Sequence, residues 1–199
     1  MWNAMTRIGG DDARLKCALF GRELSLPVKD GALVLGTWQG IYVCQWGTPA
    51  DVHLRLSFIE TPPTSLSSVT LKAPSRGCHP IDLNVLFRGS TSLPPCGIVN
   101  LTLQHTSASI CHNYAHPLTG SILEKNLNLL VPEKWNTEFF EHTYEGPDDM
   151  PGHLKSSLVG ASLNIPVQGG AFSPLEGNRE MNYRSLYLCE HRDVGGWGG

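Results

Sequence analysis

Three stretches of the chain place imidazoles beside carboxylates or hydroxyls, the groups that carry protons and hold metal ions near neutral pH. In Gln104-His105-Thr106-Ser107-Ala108-Ser109 a histidine precedes hydroxyl residues and a small residue. His105 with Thr106, Ser107 and Ser109 reads as an anion or substrate contact, or as an imidazole satisfied by its own neighbours. From His142 to His153, two histidines bracket a proline-braced turn carrying Glu145, Asp148 and Asp149. Imidazole and carboxylate together suit a divalent metal, with His142, His153 and Asp148 as candidate ligands, or acid–base work by His153. The alternative is a solvated acidic turn in which Asp148 or Asp149 caps the helix opened by His153. Cys189-Glu190-His191-Arg192-Asp193 follows an apolar run. Glu190 and His191 are adjacent, so on a strand they face opposite sides; they read as catalytic candidates or as a charged strand end. No nucleophile elbow, Walker loop, Rossmann fingerprint or HExxH motif occurs, so triad hydrolysis and P-loop chemistry have no support.

The elements that must position these groups belong to a chain of 199 residues, 41% hydrophobic and 17% charged. That length suits one ordinary domain or two very small ones. A net charge of −3 lacks the basic excess that nucleic-acid binding needs. No apolar run is long enough to span a bilayer, and no secretory signal opens the chain. Six cysteines without CxxC spacing then read as reduced thiols, and the location as cytoplasmic.

An internal repeat organises the chain. At a constant offset, Leu15, Lys16, Leu19, Gly21, Leu24, Pro27, Val28 and Gly31 recur as Leu154, Lys155, Leu158, Gly160, Leu163, Pro166, Val167 and Gly170. Chance would supply about one such match in this window, so the pattern signals duplication. Residues 1–60 read as a partial copy, 61–68 as a proline- and hydroxyl-rich linker, and 69–199 as the longer copy.

Apolar spacing predicts short helices over Leu15–Phe20 and from His153 to Val159, and a longer one over Leu118–Val131 with Ile122, Leu123, Leu127 and Leu130 as its stripe. Asp82–Phe87 reads as a further short helix. Strands are predicted at Glu23–Val28, Ala32–Leu35, Gly40–Cys44, Val52–Phe58, Val69–Lys72 and Ile98–Gln104, with Asp30-Gly31 as a hairpin turn. Hairpins with a few helices make the fold class α+β.

Taken together, Gln104–Ser109, the long motif Glu141–Leu158, Gly36-Thr37-Trp38-Gln39-Gly40-Ile41-Tyr42 and Leu188-Cys189-Glu190-His191-Arg192-Asp193 resemble the YjbQ family. The resemblance implies an antiparallel-sheet α+β domain assembling as a homotrimer, with a polar site near subunit contacts. It implies at most a weak, secondary thiamine-phosphate synthase activity, joining a pyrimidine pyrophosphate to a thiazole phosphate. On that reading the partner is a phosphorylated small molecule, and neither nucleic acid nor membrane. Magnesium or another divalent ion, bridged by Asp148 or Asp149, would steady the leaving pyrophosphate. His105, His153, Glu190 and His191 are the implied catalytic set; Thr106, Ser107, Ser109, Asp148 and Asp149 would contact substrate.

The chain departs from the family pattern in three places. Cys111–Pro117 lacks two carboxylates that the family has there, Leu175–Tyr183 replaces its Gly-Thr-Trp-Gln stretch, and the longer copy stops before the final strand. The first copy retains Gly36-Thr37-Trp38-Gln39 and an equivalent last strand, Val52–Ile59. Either that strand fills the open edge of the longer copy, or the chain is a decayed duplication or an imperfect gene model and the first copy packs poorly. A non-catalytic binding or assembly protein with a degenerate site is the alternative to an enzyme.

Overall fold

The computed structural model describes residues 2–9, 12–62, 66–81, 93–169, 171–172 and 185–193. The expected Asp82–Phe87 helix and the divergent Leu175–Tyr183 stretch lie outside them. The fold is α+β. Helices α1 (Trp2–Gly9) and α2 (Ala13–Phe20) precede a hairpin of β1 (Val28–Lys29) and β2 (Ala32–Leu33). Strands β3 (Gly77–Pro80), β4 (Cys96–Thr102) and β5 (Ala108–Asn113) follow, then helices α3 (Thr119–Leu130), α4 (Trp135–Glu138) and α5 (Asp149–Val159), and strands β6 (Ser162–Gln168), β7 (Ala171–Phe172) and β8 (Ser185–Glu190).

Two antiparallel sheets carry the architecture, ordered β3-β8-β5 and β4-β6-β7. In the first, Cys189 of β8 faces Cys78 of β3 on one side and Ser109 of β5 on the other. In the second, β4 and β6 pair along their full length, from Cys96↔Gln168 to Thr102↔Ser162. The Asp30-Gly31 turn forms as expected, with φ of 51° and 78° at its two central residues, the left-handed pair that a tight hairpin requires.

Helix α3 obeys its pattern only in part. Leu123 and Leu127 pack against Cys78, Tyr187 and Cys189, whereas Ile122 and Leu130 stay exposed. A second core joins the chain's N-terminal and C-terminal parts: Ala4 and Met5 of α1 are buried with Val131, Trp135, Phe140 and Leu154. Leu19, Phe20 and Trp46 close over that cluster. All six cysteines are free thiols, and no described helix is long and apolar enough to cross a membrane.

Several expected strands do not form. Gly40–Cys44, Val52–Phe58 and Val69–Lys72 have no regular structure, and of Glu23–Val28 only Val28 joins a ladder. Alternation creates a strand only where a neighbour supplies hydrogen bonds and covers one face. Leu54, Leu56 and Phe58 are 70–82% exposed, so Val52–Ile59 does not fill an open edge of the described sheets. The segment before β1 instead lies across the second sheet: Asn100 Nδ2 and Ser162 Oγ donate to the Ser25 carbonyl at 3.3 and 2.8 Å, and Asn164 Nδ2 donates to Ser25 Oγ at 2.9 Å.

Close approach of α3 to β3 makes Gly120 sensitive, because a Cβ there would stand 2.2 Å from the Cys78 carbonyl oxygen. Backbone cannot yield as a side-chain tip would. We expect Gly120→Ala to lower stability by roughly 1–3 kcal/mol in urea unfolding, with Gly97→Ala, where the nearest atom is a proline side chain at 3.4 Å, much nearer to the parent.

Candidate functional site

The acidic turn before α5 is built around an arginine. Arg192, immediately after β8 and only 3% exposed, reaches Glu145 with Nη1 on Oε2 and Nη2 on the carbonyl, both at 2.6 Å. Its Nε donates to Asp148 Oδ1 at 3.3 Å, and the Asp193 amide donates to Asp148 Oδ2 at 2.7 Å. Burial disfavours the guanidinium charge, but Glu145 and the Asp148 and Asp149 carboxylates outweigh it and hold Arg192 above its ordinary value. Asn136 of α4, also buried, braces the same turn by donating to the Gly146 carbonyl and accepting from the Met150 amide. Asp148 occupies the N-cap position of α5 but its side chain makes no capping bond, because it is turned to Arg192.

That frame leaves Asp149 for the histidines. Asp149 is fully buried at the first turn of α5. Its Oδ1 lies 3.4 Å from His142 Nε2 and 3.2 Å from His153 Nε2, with Arg192 Nη1 at 3.6 Å. Oδ1 has no hydrogen-bond partner, whereas Oδ2 accepts from the Glu145 amide at 3.2 Å. One nitrogen from each histidine and one Asp149 oxygen all lie within 4.8 Å of one another. Ligands about 2.1 Å from a tetrahedral ion stand about 3.4 Å apart, so the spacing suits a metal. The two imidazoles are 36% and 24% exposed over a fully buried carboxylate, so the group faces outward. His153 Nδ1 contacts the Thr106 carbonyl at 3.1 Å; as a donor to that carbonyl it leaves Nε2 free to ligate.

The other predicted residues distribute around this group. Thr106 meets His153 through its backbone. His105 turns back on its own loop, where Nδ1 accepts from the Ser107 amide at 3.1 Å. Ser107 is buried and its carbonyl accepts from the His191 amide at 3.3 Å. Ser109 Oγ and His191 Nε2 are 2.8 Å apart, and both residues are fully buried. Glu190 Oε1 accepts from the Arg192 amide at 3.1 Å. Asp148, expected as a ligand, is committed to Arg192 and Asp193, and its neighbour Asp149 stands between the imidazoles. On a helix the i, i+4 spacing of Asp149 and His153 puts them on one face, which Asp148 does not share.

Sequence reading passed over Arg192, Asn136 and Lys155. Arg192 lies inside a charged run that looks solvent-facing, and Asn136 has no local signal at all. Lys155 is fully buried and bonded to Asn128, which also accepts from Arg76 Nη2 at 2.8 Å. Burial, then the Arg76 charge, lower Lys155 to about 8. A separate cavity of about 650 Å³ lies between β3 and the start of α3, lined by Arg76, His79, His116, Glu124 and Tyr187 among others. None of the metal-spaced residues lines it.

The family model described as "UPF0047 protein YjbQ-like" matches residues 3–61 and 67–194. The UPF0047 protein YjbQ of Escherichia coli O157:H7 is 37% identical over 132 residues, covering 65% of this chain and 88% of that protein. Its Salmonella typhimurium namesake is 36% identical over the same length and the same shares. Among solved structures, the hypothetical protein APE1520 of Aeropyrum pernix K1 matches with a TM-score of 0.47 at 18% identity, over 59% of this chain and 81% of that one. An uncharacterised yjbq/upf0047 protein of Clostridium acetobutylicum matches at 0.44 and 23%, over 60% and 84%.

His191 makes the region acid-sensitive. Burial, then the Lys155 and Arg76 charges, push its pKa down to about 3 from the ordinary 6.5. Between those values the unfolded chain takes a proton that the folded chain refuses, so stability falls on acidification from about pH 6.5 and the effect vanishes above it. Urea titrations from pH 7 to 4 should show a slope steeper for the parent than for His191→Gln, by up to about 1.4 kcal/mol per pH unit.

Proposed function

The chain belongs to the UPF0047 YjbQ-like family, and from that footing we propose that it binds a phosphorylated small molecule at a divalent-metal centre held by His142, Asp149 and His153. The observation carrying this reading is Asp149 Oδ1, buried without a hydrogen-bond donor and 3.2 and 3.4 Å from two imidazole nitrogens. Two nitrogens and one oxygen suit Zn²⁺ or a neighbouring transition ion better than Mg²⁺, which prefers an all-oxygen shell. When bound, such an ion supplies Lewis-acid polarisation of a phosphoryl oxygen. The protein's own part is positional. Arg192 neutralises the acidic turn, Thr106 orients His153, and His105 stands on the adjoining loop as anion contact or proton carrier.

The reaction implied by the resemblance is transfer of the pyrimidine from its pyrophosphate to the thiazole phosphate, at most a weak activity here. The alternative is binding without turnover, favoured by Cys111–Pro117, which carries no carboxylate where the family pattern has two. A homotrimer belongs to the same proposal; exposed Leu54, Leu56, Phe58 and Ile59 support burial against another copy.

Ion pairing alone would also hold these three groups together, so metal content is the deciding measurement. Elemental analysis after dialysis against zinc should find one ion per chain, lost in His153→Ala and in His142→Ala. A parent protein free of zinc, with normal folding, would overturn the metal centre. With the pyrimidine pyrophosphate and thiazole phosphate supplied, slow thiamine phosphate formation should fall at least tenfold (about 1.4 kcal/mol) in His153→Ala and His105→Ala. Zinc binding with no product supports the binding reading. Light scattering should give about three times the 21.7 kDa chain mass.

A further inference from the structure

Gln39 lies 66 residues from His105 in sequence yet touches the loop that orients the metal-spaced histidine. Residues 36–39 make a tight turn, in which the Gln39 amide donates to the Gly36 carbonyl at 3.0 Å. The Gln39 side-chain oxygen accepts from the Gly36 amide at 2.8 Å. With its oxygen committed, the carboxamide has one orientation, and both its N–H bonds point outward. Those reach the carbonyls of Leu103 and His105 at 2.9 and 3.0 Å. The turn is pressed against that backbone: a Cβ at Gly36 would lie 2.8 Å from the Gln104 carbonyl oxygen.

The next residue along, Thr106, offers the carbonyl that meets His153 Nδ1. A carbonyl orients a ring only if its own backbone is held, and the pairing of β4 with β6 ends in the Leu103 amide donating to the Ala161 carbonyl at 2.7 Å. Gln39 is the side chain that takes up both open acceptors flanking Gln104. Gly-Thr-Trp-Gln occurs once in the chain, at 36–39; Leu-Glu-Gly-Asn stands at 175–178.

We propose that Gln39 is a positioning residue for the His142–Asp149–His153 centre, delivered from the N-terminal part of the chain to fix the Leu103–Thr106 backbone and thereby the orientation of the His153 ring. The proposal deepens the metal-centre reading and rests on it for its functional consequence, but its first effect exists without metal. A proton on Nδ1, donated to the Thr106 carbonyl, keeps Nε2 pointed at Asp149; with the loop free, that bond is lost and the ring turns away.

The experiment uses the full chain. Gln39→Glu keeps the acceptor for the Gly36 amide and removes the two donors; Gln39→Met keeps the volume and removes both. Asn164→Ala loosens the same N-terminal part through Ser25, away from the loop. Long-range ¹H–¹⁵N spectra of metal-free protein should show the His153 Nδ1–H held in a hydrogen bond in the parent and in Asn164→Ala, and exchange-broadened in both Gln39 variants. Zinc competition should show a Kd raised about 10- to 100-fold by the Gln39 changes and unchanged by Asn164→Ala. An unaltered His153 Nδ1–H signal in folded Gln39→Glu, or an equal loss in Asn164→Ala, would overturn the role. A parent with the expected Nδ1–H signal that binds no zinc overturns the metal centre and leaves Gln39 without a function, an outcome distinct from the other two.

Discussion

Everything near the site depends on one buried cation. Three carboxylates lie within five residues of sequence, Glu145, Asp148 and Asp149, and would repel one another without a counter-charge. Arg192 enters from the far end of β8, is nearly inaccessible to water, and faces all three. A buried ion pair of this kind contributes less net stability than its short distances suggest, because both partners lose hydration. Its larger effect is geometric. The planar guanidinium forks hold Glu145 and Asp148 inward, and the start of α5 is thereby set so that Asp149 meets the imidazoles from below.

A second polar network lies behind the first and gives it a rigid back. Arg76, Glu124, Asn128 and Lys155 form a connected set, with Arg76 Nε on Glu124 at 3.0 Å and Asn128 Nδ2 on Glu124 Oε1 at 2.7 Å. Lys155 leaves the same helix as Asp149 and His153, so α5 presents those two residues on one side and is anchored by a buried ammonium on another. His191, with Ser109, sits under the loop carrying His105 and Thr106. Its burial explains why it titrates so low and why it holds the strand end in place, with no route to a ligand in solution. Buried polar networks fix one arrangement of a core, and here they hold the loop and helix that meet at the metal-spaced group, with Glu124 Oε2 and His191 Nδ1 left without partners among the described residues.

The N-terminal part has two characters. Its helices and Trp46 join the core with Trp135 and Leu154, and its Gln39 turn seats on the Leu103–His105 backbone. Its later residues on either side of Trp46, Ile41–Val43 and Val52–Ile59, expose their apolar side chains. A chain with that much uncovered apolar surface gains by burying it, which is why assembly belongs with the functional reading.

Local patterns settled what depends on neighbours in sequence. The helix from Thr119 to Leu130, the Asp30-Gly31 turn, the helix capped by Asp12, the helix through Leu154 and Leu158, and the β4 strand follow from periodicity, turn chemistry and a cap, which act over a few residues. The histidine-and-acid turn was legible as a chemical cluster for the same reason. What only tertiary structure decided is who faces whom. Asp149, not Asp148, meets the imidazoles because Arg192, more than forty residues later, takes Asp148. Val52–Phe58 has the alternation of a strand and no ladder, because hydrogen-bonding partners are a property of the assembled sheets. Gln39 reaches the loop from across the chain for a like reason: burial and long-range pairing are set by packing, and no local window of residues contains that information.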